Sequence, residues 1–94
     1  MKEIVEGKLY DTDTAEIIAD NHYWDGHNFE RRGRNRFLYK TEKGNFFLHE
    51  TTLFQGEFDR ITPITVDQAK RYYEELQEKH VEYVDTFGQE PEIA

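Results

Sequence analysis

Three groups of side chains in this 94-residue sequence could do chemistry. Glu74, Glu75, Glu78, Glu82 and Asp85 recur at three-, four- and seven-residue intervals, so one continuous helix would align them as a carboxylate row with neighbours about 5–6 Å apart. That spacing is close to the charge spacing of a nucleic-acid backbone, and such a row fits a basic channel on a partner. It equally describes a solvated helix face that keeps a small protein soluble. Arg31, Arg32, Arg34 and Arg36 make the second group. Their guanidinium forks bind phosphate, and Phe37 or Tyr39 could stack bases, or the same arginines pair with the chain's own acids or a partner's carboxylates. The third group is His22, Asp25 and His27, two imidazoles and a carboxylate from one loop. Its spacing matches no metal-ligand signature, so no metal site and no cofactor are assigned.

Catalytic constellations are absent. The sequence has no serine and no cysteine, which removes the usual acyl-transfer nucleophiles, and no threonine sits in a nucleophile elbow or beside an evident base. The six glycines are scattered singly, so no phosphate-cradling loop is formed. No pair of carboxylates stands out as an acid–base couple among 20 acids. His49 and His80 fall on apolar faces and are expected to be satisfied core or boundary histidines. The chain is read as an interaction protein, not an enzyme.

Charge gives that interaction a direction. With 20 acidic and 12 basic residues the net charge is −8, which argues against generic binding to nucleic acid or anionic membrane and favours a basic protein partner. Direct nucleic-acid binding is therefore not expected from the whole-chain charge. The acidity is uneven: residues 1–30 carry −6, residues 31–43 carry +5, residues 44–66 carry −2 and residues 67–92 carry −5. No apolar run approaches the roughly 20 residues of a membrane span, and Met1-Lys2-Glu3 opens no signal-peptide apolar region, so the expected location is cytoplasmic. The lack of cysteine is compatible with that compartment.

The elements that must position these groups follow from periodicity and turn chemistry. Residues 1–12 read as a strand or extended arm with a bulge or tight bend at Gly7. Asp13 and Glu16 have capping-box spacing ahead of Ile17, Ile18 and Ala19, which predicts a short helix over 13–20. Residues 21–35 read as a loop whose Tyr23, Trp24 and Phe29 pin it to the core. Two aromatic runs flank Glu42-Lys43-Gly44-Asn45, and a type I turn with Gly44 left-handed predicts a hairpin pairing Thr41 with Asn45 and Tyr39 with Phe47. That register sets Phe37, Tyr39, Phe47 and His49 on one face and Leu38, Phe46 and Leu48 on the other. Both faces are apolar and need cover, by helix on one side and loop aromatics on the other. A further strand region runs from Leu53 to Ile64, bent at Gly56 and ended at Pro63, so that 36–64 forms an antiparallel sheet. Thr65 and Gln68 make a capping box, and Ala69, Tyr72, Tyr73, Leu76 and His80 follow at helical spacing, which predicts one amphipathic helix over 65–87 packed on the sheet. Gly88 and Pro91 close it ahead of an acidic tail, 88–94. The expected fold class is α+β, one small domain over 1–94, with the oligomeric state left open.

Three stretches carry a family resemblance. Gly7-Lys8-Leu9-Tyr10-Asp11-Thr12-Asp13-Thr14-Ala15, then Phe37 through Leu48, then Ile61-Thr62-Pro63-Ile64-Thr65 with Ala69 resemble small proteins carried by phages and other mobile elements of Gram-positive bacteria. Such proteins are similar in setting and size to anti-CRISPR inhibitors, which bind Cas nucleases and commonly use acidic surfaces to occupy DNA-binding channels. The resemblance implies a basic host partner in the host cell cytosol, with a Cas9-type nuclease as the leading case, and the charge pattern of the sequence itself puts Glu74, Glu75, Glu78, Glu82 and Asp85 at the contact. The alternatives are an RNA- or DNA-associated accessory protein using Arg31, Arg32, Arg34 and Arg36, or a module that binds a protein of its own mobile element.

Overall fold

Glu6 and Gly7 both take positive φ, 52° and 77°, in the computed structural model of the chain, which describes residues 1–21, 34–52, 56 and 58–93. Two successive positive-φ residues make a type I′ turn, whose twist suits a two-residue hairpin. It folds β1 (Lys2–Val5) back onto β2 (Lys8–Asp11), with Ile4 opposite Leu9 and Glu3 opposite Tyr10. The predicted bend at Gly7 is thus the turn of a separate two-stranded sheet. After it come β3 (Glu16–Asp20), β4 (Asn35–Lys40), β5 (Phe46–Thr51), β6 (Arg60–Ile64), α1 (Val66–Glu75), β7 (Glu78–Lys79) and α2 (Tyr83–Phe87). Strands β3 to β7 form an antiparallel sheet in the order β6-β5-β4-β3-β7, and the fold is α+β.

The β4–β5 hairpin has the predicted register. Tyr39 faces Phe47, the Thr41 N–H donates to the Asn45 carbonyl at 2.8 Å, and Gly44 sits at φ 87° with its N–H on the Thr41 carbonyl at 2.9 Å. Its two faces go where alternation sends them. Leu38, Phe46 and Leu48 join Ile18 and Ala19 in one buried cluster with Ala69, Tyr73 and Leu76 of α1 and its C-cap. Phe47 and Tyr39 stack on the opposite face with rings 5.2 Å apart, and Tyr10 of β2 meets Phe47 edge-on at 5.5 Å, beside buried Ile61. Cover on that face therefore includes the β1–β2 hairpin; Tyr23, Trp24 and Phe29 lie outside the described residues, as do 22–33 of the predicted loop. Fully burying a side chain such as Leu38 or Leu48 stabilises the fold by about 1.5–3 kcal/mol.

Two predicted helices are corrected. Residues 16–20 of the expected helix 13–20 are β3, in the middle of the sheet between β4 and β7. The Asp13–Glu16 capping box does not form; Asp11 organises the turn instead, accepting the Asp13 N–H on its carboxylate at 3.0 Å and the Ala15 N–H on its carbonyl at 3.1 Å. A central strand is covered on both faces, so it shows a continuous apolar run with no two-residue alternation, and a bulge between Ile17 and Ala19 blurs the period further. The run Ala15-Glu16-Ile17-Ile18-Ala19 then mimics a helix face. The expected helix 65–87 is two helices separated by a strand. α1 ends at Glu75, Leu76 turns to an extended conformation (φ −78°, ψ 121°), and the chain then pairs with β3 through Ala19–Lys79 and Asp20–Glu78. β3 has an edge that needs pairing, and that pairing prevails although it leaves Glu74 and Glu75 at the negative end of α1 with no basic residue in its last turn. Pro63 does not end its strand either. It lies inside β6, an edge strand, where a missing N–H is tolerated.

The other end of α1 is as predicted. The Thr65 hydroxyl accepts the Gln68 N–H at 3.2 Å, and the Gln68 side-chain carbonyl accepts the Thr65 N–H at 2.9 Å. Thr65→Ala should lower the unfolding free energy by about 1 kcal/mol in a urea titration with unchanged m-value, while Thr65→Ser should restore most of it. An unchanged midpoint in Thr65→Ala would show that the cap contributes nothing.

Candidate functional site

The break after Leu76 changes the geometry of the carboxylates. Glu74 and Glu75 are the last residues of α1, Glu78 lies on edge strand β7, Glu82 is the N-cap residue of α2, and Asp85 lies within α2. The helical row predicted for these five residues does not exist. They lie instead along a folded α1–β7–α2 strip at the β7 side of the sheet. All five are exposed, and among the described residues none makes an ion pair or a side-chain hydrogen bond.

The strip is pinned from beneath by groups that leave its carboxylates alone. Leu76 is buried; the Tyr73 hydroxyl donates to the Val81 carbonyl at 2.9 Å; and Tyr73, Tyr83, Phe87 and Phe46 form a ring cluster with centroids 4.8 to 5.8 Å apart. Burial pushes the Tyr73 hydroxyl above its ordinary range, with the Glu82 charge acting in the same sense. Nearby lysines reach carbonyls and rings, not acids. Lys40 donates to the Thr86 carbonyl at 2.7 Å, Lys79 donates to the Leu76 carbonyl and lies over the Tyr73 ring, and Lys70 lies over the Phe87 ring. His80 closes the seam: its N–H donates to the Ile18 carbonyl at 2.8 Å, and its Nε2 meets the buried Asp20 carboxylate at 2.7 Å.

The arginines collect at the far end of the sheet's middle strands. Arg31 and Arg32 lie outside the described residues; Arg34 precedes β4 and Arg36 is within it. Strand register then adds two residues that the sequence reading missed. Arg36 pairs with Glu50, and Glu50 pairs with Arg60, so a carboxylate on β5 stands between two guanidinium groups. Arg36 Nε lies 3.5 Å from one Glu50 oxygen and Arg60 Nε lies 3.3 Å from the other. Arg36 also lies over the Tyr72 ring of α1, 6.0 Å from its centroid. Asn21 holds this end of the sheet, accepting the Arg36 N–H on its side chain at 2.8 Å and donating its own N–H to the Arg36 carbonyl at 3.3 Å. An open cleft of about 630 Å³ results, with Arg34, Arg36, Arg60, Glu50 and Phe58 in its lining. The signal for Glu50 was in the predicted hairpin register, which sets it opposite Arg36, and that for Arg60 is readable once β5 and β6 are known to pair.

The histidines divide. His22 and His27, with Asp25, lie outside the described residues, and no group of three metal-ligating side chains is found among the described ones. His80 is satisfied by Asp20, as expected. His49 is not: its Nε2 is buried without a hydrogen-bond partner, between the Phe37 and Tyr39 rings at 5.8 and 6.5 Å. Burial pushes its imidazole below the ordinary value of 6.5; the Asp59 carboxylate opposes the shift and the Met1 amino group adds to it.

The site therefore belongs to a small α+β protein with an acidic edge and an arginine cleft. No protein-family model, curated protein or solved structure matches the chain.

Two tests follow. A depressed folded-state value means that the stability tied to neutral His49 is present above about pH 6.5 and is lost as pH falls through the folded value. His49→Phe also removes the unsatisfied nitrogen, so it should gain about 1 kcal/mol over wild type at pH 5 and less at pH 8. Parallel melting profiles would sink this reading. His80→Ala should speed hydrogen exchange of the residue-80 amide, which donates to the Ile18 carbonyl, about tenfold by loosening β7, and unchanged exchange would deny the clamp.

Proposed function

We propose that this chain is an acidic interaction protein that docks its α1–β7–α2 edge on a basic surface of a nucleic-acid-handling protein and acts by occlusion, without chemistry of its own. The observation that carries the reading is the set of five exposed carboxylates left without an internal cation while three nearby lysines turn to carbonyls and rings. A surface serving solubility alone is satisfied by interspersed charges of both signs; here Arg71 and Lys79 stand among the acids without forming ion pairs with them among the described residues. Unpaired surface charge costs the free protein little and becomes favourable when a complementary potential desolvates it. The sequence resemblance names the leading partner class, a Cas nuclease, whose guide–target duplex lies in a positively charged channel. No membrane role is proposed, and none of the described helices is long and apolar enough to span a bilayer.

Occlusion of this kind is steered by long-range attraction, so it should weaken as salt shortens the screening length from about 10 Å at 0.1 M. The test is target binding and cleavage by candidate nucleases with the protein at saturation, repeated with Glu74→Lys, Glu75→Lys and Glu78→Lys combined. Inhibition that falls at least tenfold in the charge-reversed protein, and falls with salt in the wild type, is the expected result. Full cleavage at saturating protein removes the partner class tested. Inhibition untouched by charge reversal removes the edge as the docking surface.

A further inference from the structure

We propose that the cleft at the end of β4, β5 and β6 binds a nucleotide unit, with its phosphate against Arg36 and Arg60 and its base on Phe58. This goes beyond the occlusion reading and does not rest on it, because the residues and the charge are different. Adjacent strands lie about 4.8 Å apart, so Arg36 and Arg60, which flank Glu50 on its two neighbouring strands, start about 10 Å apart and converge on one point. Each guanidinium approaches Glu50 through Nε, and among the described residues neither guanidinium makes another hydrogen bond or ion pair, although that of Arg36 also lies over the Tyr72 ring. A guanidinium carries five N–H donors in a planar fork, so the terminal nitrogens of both remain available for phosphate oxygens. Glu50 is the preorganising anion: it holds two cations side by side and neutralises only one of them. Arg34 also lines the cleft.

Phe58 distinguishes a nucleotide from a bare anion. Its side chain is 87% exposed, an unfavourable place for a phenyl ring, and it lines the same cleft as the arginines. An exposed ring beside guanidinium groups is the arrangement that stacks bases while the backbone phosphate is held. The cleft volume, about 630 Å³, lies within the range of small-ligand sites.

The net charge of −8 opposes phosphate binding at long range but not at this point. Arg36 on β4 lies two strand spacings and Arg60 on β6 four spacings from β7, a lateral separation of about 10 Å or more from Glu78. That exceeds the screening length of about 8 Å at physiological salt. The nearer acid, Asp59, is engaged with the Thr52 N–H at 3.0 Å.

The source of the nucleotide unit, a free nucleotide or a single strand, is separated by the test. Full-length protein is titrated at 50 mM salt with fluorescein-labelled oligothymidylate of eight residues, with adenosine monophosphate, with inorganic phosphate and with labelled polyglutamate. The variants are Arg60→Gln and Phe58→Ala, both at exposed side chains, and their melting temperatures are compared with wild type. Arg60→Gln should weaken oligonucleotide or nucleotide binding about tenfold. Phe58→Ala should weaken it about fivefold or more while leaving inorganic phosphate binding unchanged. Tighter binding of the strand than of the mononucleotide identifies a strand as the source; the reverse identifies a free nucleotide; both support the site. Absence of nucleotide and strand binding at millimolar ligand, binding indifferent to both substitutions, or polyglutamate binding in place of nucleotide would overturn it.

Discussion

A β-hairpin with apolar side chains on both faces cannot face water on either side, and that constraint organises this molecule. Leu38, Phe46 and Leu48 on one face and Tyr39 and Phe47 on the other each require cover. α1 supplies one layer through Ala69 and Tyr73. The β1–β2 hairpin supplies part of the other through Tyr10, whose edge-on contact with Phe47 fixes the angle at which that small sheet lies. Once both faces of the central strands are occupied, side chains that meet a partner have two kinds of place left: the ends of the strands and the edges of the sheet. The arginine cleft is a strand-end feature, and the carboxylate strip is a sheet-edge feature.

The edge is the less obvious consequence. β3 lies beside the central hairpin and would present unpaired backbone groups on its outer side if α1 simply continued. Two residues of β7 pair with its outer side and bring His80 to Asp20, so a buried carboxylate gains a partner at the same step. The short strand bends the carboxylate-bearing segment into α1, β7 and α2 around Tyr73. Electrostatics acts in both directions on this outcome. A single helix would have stacked Glu74, Glu75, Glu78 and Glu82 at like-charge spacings with few basic residues among them. In the folded strip the early acids lie at a helix C-terminus, where they oppose the macrodipole, and Asp85 lies in the first turn of α2, where the macrodipole favours it.

What was legible in the sequence tracks what is decided locally. The register of the β4–β5 hairpin followed from Gly44 and the alternation of Phe37, Tyr39, Phe47 and His49. The start of α1 followed from Thr65 and Gln68, and Gly88 closes α2 in the left-handed conformation expected of a helix stop. The misread elements are those decided by neighbours. Ile17, Ile18 and Ala19 form a strand because β4 and β7 flank them, and nothing within five residues distinguishes a doubly covered strand from a helix face. Residues 76–80 leave the helix because β3, some sixty positions earlier, offers an edge. Arg34 and Arg36 of the arginine cleft were visible in the sequence; Glu50 faces Arg36 through the β4–β5 register, Arg60 joins through β5–β6 pairing, and Phe58 lies just before β6. The carboxylates were recognised as residues, but their arrangement was not, since it depended on the helix that failed to form.

The two charged regions bear on each other through distance and cover. A small protein that concentrated opposite charges on one face would satisfy them internally, as Glu50 does for Arg36 and Arg60 at the cleft. The sheet prevents wider cancellation. Its strands separate β6 from β7 by four spacings, about 19 Å, and the one cleft arginine that reaches α1 among the described residues, Arg36, lies over the Tyr72 ring and not on an acid. Lys40 and Lys79 are held by the Thr86 and Leu76 carbonyls and by neighbouring rings, and form no ion pair with the acidic strip. The separation of charge along the sheet therefore follows from the same double burial that fixes the fold. A molecule built this way presents opposite potentials at opposite ends of a rigid layer, which is the arrangement needed to orient a charged partner before contact is made.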